Sequence, residues 1–292
     1  EAGVEIFGEA DFASAFWPGP VVAVTGTNGK TTLVKFIERL LREAGKPARA
    51  LGNVGDSFSA AAAEKPGAEV TAVLELSSFQ TETIRLLRPD AVVWTNFAED
   101  HLDRHRTLPD YFRAKARLVE ALPESGTFLA GASVPAASEA HGVPLARSPL
   151  VARPEEAMGT ELPAFSPFQA LPQKETLALG LAFAREAGIG GEIVKKVLAD
   201  FRGAPHRMEK VATVGRATFW NDSKATNFAA ALAACRHFAG KALWIGGGKD
   251  KGGDIAGFAR RLRKLVARAY LIGETGPALA KALDALGGPV TL

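Results

Sequence analysis

A chain of 292 residues, 47% hydrophobic and 23% charged, is long enough for two globular domains, each with its own core. Its formal net charge of +3 is too small to argue for nucleic acid or a membrane as partner. Its one cysteine, Cys235, excludes an internal disulfide and a cysteine-rich metal site and fits a reducing cytosol, and no apolar run has the length of a membrane span or the form of a signal peptide.

Glu1 to Pro20 reads as a lead-in, with Pro18 and Pro20 just before the first strand. The chain opens on Glu inside what reads as a loop, so its natural start is expected upstream. Val21 to Val24 is a short apolar run of the kind that forms a buried strand, and the glycine turn Thr25-Gly26-Thr27-Asn28-Gly29-Lys30-Thr31-Thr32 follows it. From Lys30 to Ala44, Leu33, Phe36, Ile37, Leu40 and Leu41 mark one face of an amphipathic helix. Strand, glycine turn and helix N-terminus together make an anion site, because backbone N–H groups point outward and the helix dipole adds positive potential. Lys30 can reach a terminal phosphate there, and the Thr31 hydroxyl can ligate Mg²⁺. The general phosphate loop has four residues between its glycines; here Gly26 and Gly29 enclose Thr27 and Asn28 alone. An ordinary strand-to-helix turn is the competing reading, and nucleoside triphosphate binding is the stronger one.

Further strands are expected at Pro47–Leu51, leading into Gly52-Asn53-Val54-Gly55, at Val70–Leu76 and at Asp90–Thr95, with helical segments between them and a helix at Pro109–Leu122. That alternation predicts a doubly wound α/β domain with a mostly parallel sheet. Ligands of such sheets bind beyond the carboxyl ends of the strands, so polar residues following Leu74 and Thr95 are favourably placed. Ala130 to Pro172 is rich in Ala, Pro and Ser and reads as short strands and loops. Helices are expected at Gln173–Ala187 and Gly191–Phe201, and Gly203-Ala204-Pro205 then breaks the pattern. The expected division is a lead-in over 1–20, a central domain over 21–203 and a smaller Rossmann-like α/β domain over 204–292. The last would hold a hairpin of Met208–Val214 with Ala217–Asn221, a helix at Lys224–Ala239, a strand at Ala242–Ile245 and another α/β unit to Gly273.

Leu74-Glu75-Leu76-Ser77-Ser78-Phe79-Gln80 puts a carboxylate at the end of a buried strand. An ionised Glu there is costly unless paired or on a metal, and Mg²⁺ shared with Thr31 is an economical partner. Ser77 or Ser78 also suits a helix N-cap, which leaves Glu75 unoccupied. Asn96-Phe97-Ala98-Glu99-Asp100-His101-Leu102-Asp103-Arg104-His105 is dense in polar groups for a loop, and metal binding, phosphate contact and a solvated turn all remain open. Lys115, within a helix, reads as a surface lysine. In the second half, Ala204-Pro205-His206-Arg207 marks the junction, Asp222 or Ser223 is a candidate cap for the next helix, and Gly246-Gly247-Gly248-Lys249-Asp250-Lys251-Gly252-Gly253 must turn tightly. Lys224 and Lys251 at adjacent strand ends suggest a cleft facing the phosphate loop.

Thr25–Thr32 resembles the short phosphate loop of the Mur ligases, the ATP-dependent amide-forming enzymes of peptidoglycan synthesis. Leu74–Gln80 and Asn221-Asp222-Ser223-Lys224-Ala225-Thr226-Asn227 resemble the D-glutamate-adding members, and the motifs run in the family's order from about residue 21 to 273. The resemblance implies a cytoplasmic, monomeric, ADP-forming ligase joining D-glutamate to UDP-N-acetylmuramoyl-L-alanine through an acyl-phosphate. Gly26, Thr27, Asn28, Gly29, Lys30, Thr31 and Thr32 would hold the ATP phosphates, Arg207 and Asp222 the nucleotide, and Lys224 a phosphate or the acyl-phosphate. Thr31 and Glu75 would share one Mg²⁺, and His101 a second. Lys115 matches the lysine that the family carbamylates to support that second metal. Carbamylation needs a neutral amine, so the surroundings must depress a pKa ordinarily near ~10.4. Asn53, Ser77 and Gln80 would touch the muramoyl substrate, and Thr226 and Lys251 the incoming D-glutamate. The family's N-terminal UDP-binding domain and the end of its glutamate-binding domain have no counterpart between Glu1 and Leu292. Its His-Asn pair is replaced by Leu171-Pro172-Gln173-Lys174-Glu175-Thr176, where Gln173 can stand in for an asparagine amide. Another ligase of the superfamily, such as a different Mur ligase or a folylpolyglutamate synthase, and a non-catalytic nucleotide-binding relative are the alternatives.

Overall fold

The computed structural model describes residues 5–163, 166–169, 171–238, 242–250, 252–287 and 290–291. The first compact unit takes the chain up to Phe97, then Leu108–Gln169 and Gln173–Ala204. In order, its elements are α1 (Glu9–Ser14), β1 (Val21–Thr25), α2 (Lys30–Glu43), β2 (Ala48–Gly52), α3 (Phe58–Ala63), β3 (Thr71–Glu75), α4 (Ser78–Thr81) and β4 (Ala91–Trp94). After α5 (Leu102–His105), which belongs to the second unit, come α6 (Leu108–Glu120), β5 (Thr127–Gly131), α7 (Ser133–His141), β6 (Leu150–Ala152), α8 (Leu171–Glu186) and α9 (Gly191–Asp200).

Six strands form one parallel sheet in the order β2-β3-β1-β4-β5-β6. The expected doubly wound α/β fold is thus present. Strand residues alternate between its two faces. Val21 and Ala23 of β1 join Leu74, Val92 and Trp94 under Phe58, Tyr111 and Phe112, whereas Val22 and Val24 join Val73 and Val93 under α2, α8 and α9. Covered on both sides, β1 is buried along its whole length, as its unbroken apolar sequence requires. On the second face Phe36 lies edge-on to Phe168 at 4.9 Å and to Phe201 at 5.0 Å. β1 lies between β3 and β4, where the chain's direction of winding reverses, and that is where such sheets open a crevice.

The lead-in carries α1, pinned by the buried carboxylate of Asp11. One oxygen of that side chain accepts the N–H groups of Arg85, Leu86 and Leu87 at 2.8–3.0 Å. The stretch read as loops after Ala130 contains the nine-residue helix α7, which carries one buried residue, Val134; that near-absence of a buried face explains its weak periodicity.

The second unit takes Ala98–Thr107 and the chain from Pro205 onward. There β7 (Glu209–Val214) and β8 (Ala217–Asn221) form the expected hairpin. They are followed by α10 (Phe228–Arg236), β9 (Ala242–Gly247), α11 (Ile255–Leu262), β10 (Val266–Ile272), α12 (Gly276–Asp284) and β11 (Val290–Thr291). The last three strands are parallel, in the order β11-β10-β9. Phe258 stacks on Phe228 at 4.3 Å within a core that includes Leu232, Cys235, Leu262, Leu271 and Leu279. Burial, and then the nearby Asp222, push the Cys235 thiol up to about 11, so it stays protonated and inert. The helix expected from Lys224 begins instead at Phe228. Its cap is Asn227, whose side-chain oxygen accepts the Ala230 N–H at 2.8 Å, and not Asp222 or Ser223. Asp222 instead accepts the Met208 N–H at 3.0 Å, and residues 222–225 close a turn.

Candidate active site

The loop after β1 is shaped by two glycines that no other residue replaces without strain. Gly26 has φ +136°, and a Cβ on it would fall 1.9 Å from the Thr95 hydroxyl; Gly29 has φ +83°, and its Cβ would fall 2.6 Å from that of Thr176. Gly29 is also the residue before α2, a fourteen-residue helix with no acidic side chain in its first turn. Its N-terminus therefore keeps its positive potential for an anion. Lys30 folds back over the turn, its ammonium donating to the carbonyls of Gly26 at 3.0 Å and Thr27 at 2.9 Å. Asn96, just past β4, clamps the far side: its side-chain oxygen accepts the Asn28 N–H at 2.9 Å and its side-chain amide donates to the Asn28 carbonyl at 3.2 Å. The Thr27 hydroxyl lies 3.3 Å from that of Tyr111, and Thr32 is buried behind the loop.

Glu75 ends β3 beside this loop and is buried. One carboxylate oxygen accepts the Thr31 hydroxyl at 2.7 Å and the other the Asn53 amide at 3.1 Å. Gly52 makes that approach possible, because a Cβ there would fall 2.6 Å from the Glu75 carbonyl oxygen. A hydroxyl and a carboxylate held together at the mouth of an anion-binding loop are a donor set suited to a hard cation such as Mg²⁺. Among the described residues, no group of three or more His, Cys, Asp or Glu side chains is arranged to hold a metal without other ligands. Ser77 and Gln80, both expected at a substrate, form a capping box at α4, a single turn: the Gln80 side-chain oxygen accepts the Ser77 N–H and hydroxyl, each at 2.9 Å.

Lys115 is not a surface lysine. It is 1% exposed, with its ammonium donating to the Gly26 carbonyl at 2.9 Å and lying 4.8 Å from the centre of the Tyr111 ring. The structure therefore gathers the loop, Asn53, Glu75 and Lys115 around the end of β1. The start of α8 adds Thr176 against Gly29 and Gln173, whose side-chain oxygen is buried without a hydrogen-bond partner among the described residues.

His101, Arg207, Asp222, Lys224 and Thr226 belong to the second unit. His101 adopts a left-handed conformation (φ +54°) ahead of α5. Asp100 steadies it, accepting its N–H at 2.9 Å with one oxygen and the Asn227 amide at 2.9 Å with the other. Burial raises the Asp222 carboxyl above the ordinary range, against the Met208 N–H and the charge of Arg207. The Lys224 N–H donates to the His206 carbonyl at 3.2 Å, and the Lys224 and Thr226 side chains are exposed. Lys251 lies outside the described residues.

The description of the Mur ligase middle domain matches residues 24–144, and that of the Mur ligase glutamate ligase domain matches residues 206–291. The chain belongs to the Mur ligase family. UDP-N-acetylmuramoylalanine–D-glutamate ligases are among its relatives. That of Acidobacterium capsulatum is 34% identical over 99% of this Mur ligase chain and 67% of its own length. That of Thermobifida fusca is 35% identical, over 97% of this chain and 67% of its own. The chain thus spans about two thirds of the length of these relatives. Among solved structures, MurF from Acinetobacter baumannii superposes with a TM-score of 0.75 at 18% identity, over 97% of this chain and 69% of that one. Folylpolyglutamate synthase from Mycobacterium tuberculosis, complexed with ADP, gives 0.67 at 17% identity, over 97% and 82%. At such identities these structures share the fold.

Sequence reading gave no role to Tyr111, Glu175 or Thr176, and marked Asn96 only as one of the polar residues of the Asn96–His105 stretch. For Asn96 a signal existed, since it is among the first residues past a strand end. Tyr111 and Thr176 lie against the loop at Thr27 and Gly29, and Glu175 against Gly131, none of which a motif spells out.

Proposed function

We propose that the protein is an ATP-dependent, ADP-forming ligase that joins D-glutamate to UDP-N-acetylmuramoyl-L-alanine in cytoplasmic peptidoglycan precursor synthesis, and that it acts as a monomer. The observation that carries this reading is the phosphate loop at the end of the central strand, with Lys30 folded over it and Thr31 held 2.7 Å from Glu75. Relatives that bear the D-glutamate ligase name at 34–35% identity support the choice of substrates.

In this reading the L-alanyl carboxylate attacks the γ-phosphorus of ATP, the bond to the bridging oxygen breaks, and ADP leaves. The amine of D-glutamate then attacks the acyl-phosphate carbon, loses a proton and expels phosphate as the amide forms. The protein's part is alignment and charge neutralisation. Lys30 and the N–H groups of Gly26–Thr32 hold the phosphates, while Asp222, Arg207 and Gln173 hold the nucleoside side. Lys224 meets the phosphate in transfer, Asn53, Ser77 and Gln80 the muramoyl substrate, and Thr226 and Lys251 the D-glutamate carboxylates. Mg²⁺ on Thr31 and Glu75, with a second ion on His101, would neutralise phosphate charge. Carbamylation of Lys115 is attack of its neutral amine on carbon dioxide with loss of a proton, and it replaces a cation by an anion beside that second ion. The burial of Lys115 and its reach to Gly26 support this role.

The test is ADP release by the full-length protein with ATP, UDP-N-acetylmuramoyl-L-alanine and each of D-glutamate, L-lysine and meso-diaminopimelate. Release that depends on D-glutamate is expected. A preference for either of the other two amino acids would sink the D-glutamate assignment, and no release with any of them would favour a non-catalytic relative.

A further inference from the structure

Ser77 and Gln80 sit on α4, a single helical turn, and a helix that short does not hold itself. Residues 82–87, which follow it, form neither helix nor strand. The N–H groups of Arg85, Leu86 and Leu87 nevertheless converge on one oxygen of Asp11, at 3.0, 2.8 and 2.9 Å. Three consecutive N–H groups meet at a point only where the backbone curls into an anion-holding nest, and here a side chain of α1 fills it. Leu87 and Asp11 are both buried, so water does not replace the carboxylate. Just ahead of α1, Gly8 lets the helix approach the same turn. A Cβ on it would fall 2.5 Å from the Thr83 hydroxyl and 3.9 Å from the Gln80 carbonyl oxygen, which that hydroxyl meets at 3.4 Å.

The same helix reaches the loop of Asn53. The Glu9 carboxylate accepts the Ser59 N–H at 2.6 Å in the first turn of α3, where the Ser57 hydroxyl takes the Ala60 N–H at 3.2 Å. Two of the N–H groups that a helix start leaves open are thereby satisfied. Trp17 packs on Phe58 of α3 with ring centres 5.3 Å apart. Ahead of α3 lies the turn at 52–56, closed by the Gly52 N–H on the Asp56 carbonyl at 3.1 Å. Asn53 in that turn donates its N–H to the Glu75 carbonyl at 3.0 Å and its amide to the Glu75 carboxylate at 3.1 Å. Glu9 and Asp11, two positions apart on α1, thus hold the far ends of both loops that the ligase reading gives to the muramoyl substrate. The phosphate loop is anchored elsewhere, by β1, α2 and Asn96. All of these residues lie within the first compact unit.

We propose that α1 is a brace for the muramoyl-substrate site, with Asp11 and Glu9 as positioning residues that fix the spacing between Asn53 and the turn of Ser77 and Gln80. This rests on the ligase reading above, which places the substrate on those three residues. Neither carboxylate touches the substrate; each acts through the backbone of the segment it holds.

The test reads, in the full-length protein, the KM for UDP-N-acetylmuramoyl-L-alanine and for ATP in ADP release, together with the thermal midpoint. Asp11→Ala should raise the KM for the muramoyl substrate about tenfold and leave the ATP KM within about twofold. Glu9→Ala, at an exposed contact, should raise the same KM about threefold. Asp11→Asn keeps an acceptor oxygen for the three N–H groups and should stay within about threefold of the wild type. A lower thermal midpoint with both KM values unchanged, or an equal rise in both, would overturn the proposal. If Asp11→Ala does not fold, Gly8→Ala takes its place. Gly8 has φ −71°, which alanine adopts freely, so the change presses a methyl on Thr83 and little else. The same split between the two KM values is expected, with relief on adding Thr83→Ala, and an unchanged muramoyl KM would overturn the proposal equally. Gln80→Ala separates the two levels. If it raises the muramoyl KM while Asp11→Ala does not, only this inference fails; if it leaves that KM unchanged, the placing of the substrate beneath it fails as well.

Discussion

Lys30 and Lys115 donate to one and the same acceptor, the carbonyl oxygen of Gly26, at 3.0 and 2.9 Å. One lysine comes from the helix that follows the loop and the other from α6, eighty-five positions further on in the sequence. Two ammonium groups sharing an oxygen repel one another unless negative charge is brought in or one of them loses its proton. Bound phosphate would meet the first condition and carbamylation of Lys115 the second.

Lys115→Ala is therefore expected to lower ligation by at least about a hundredfold while the protein still binds ATP. Depleting bicarbonate should slow the wild type and adding it back should restore the rate, with no response in the variant. Turnover assays with and without bicarbonate check this; wild-type turnover in the variant would rule out the carbamate.

Glu75 is held by Thr31 and Asn53 through its two separate oxygens. Glu75→Gln keeps the shape and exchanges one acceptor for a donor, which suits neither a cation nor both neighbours. The Mg²⁺ concentration for half-maximal ADP release should rise at least about tenfold. A Mg²⁺ titration of the two proteins measures it, and coincident curves would remove Glu75 from the metal site.

Glu175 has a signature in pH. Burial raises its carboxyl more than Asn96 and Ala132 lower it. The folded chain therefore keeps this proton at pH values where the unfolded chain has released it. The corresponding stability is complete below the ordinary glutamate pKa and is lost as pH rises through that value to the raised one. Glu175→Gln does not titrate. Its urea midpoint should match the wild type in acid and exceed it progressively above about pH 4. A constant difference across the range would contradict the shift.

Gly180 lies inside α8, where alanine would ordinarily be the better helix former by about 1 kcal/mol. Here a Cβ would fall 2.4 Å from the Phe36 ring, which Phe168 and Phe201 hold in place. Gly180→Ala should therefore destabilise by about 1–3 kcal/mol. Denaturant midpoints measure it; relief is expected on adding Phe36→Leu, and a raised midpoint in the single variant would contradict the packing.

The position of Lys115 was partly legible beforehand. Tyr111, Phe112, Leu118 and Val119 mark the buried face of α6, and Lys115 falls on that face, four residues after Tyr111. A charge on an apolar stripe is a signal, though helical periodicity alone does not say what it meets. The helix at α7 was not legible, because a helix with one buried residue leaves no stripe to read. The start of α10 was misplaced by four residues because Asp, Ser and Asn all cap helices, and only the Asn227–Ala230 hydrogen bond selects among them.

By itself the sequence determined the parallel α/β architecture and the phosphate loop, since both are local: strand burial, helix periodicity and glycine turns are written in neighbouring residues. The tertiary structure alone decided that Lys115 and Lys30 meet on Gly26, that Glu75 reaches both Thr31 and Asn53, and that a Glu175 carboxylate oxygen takes the space a Cβ on Gly131 would need. These partners sit at the tips of different strands and helices. Sheet order and close backbone approach at Gly52 and Gly131 bring them together, and neither leaves a trace in the residues next to them along the chain.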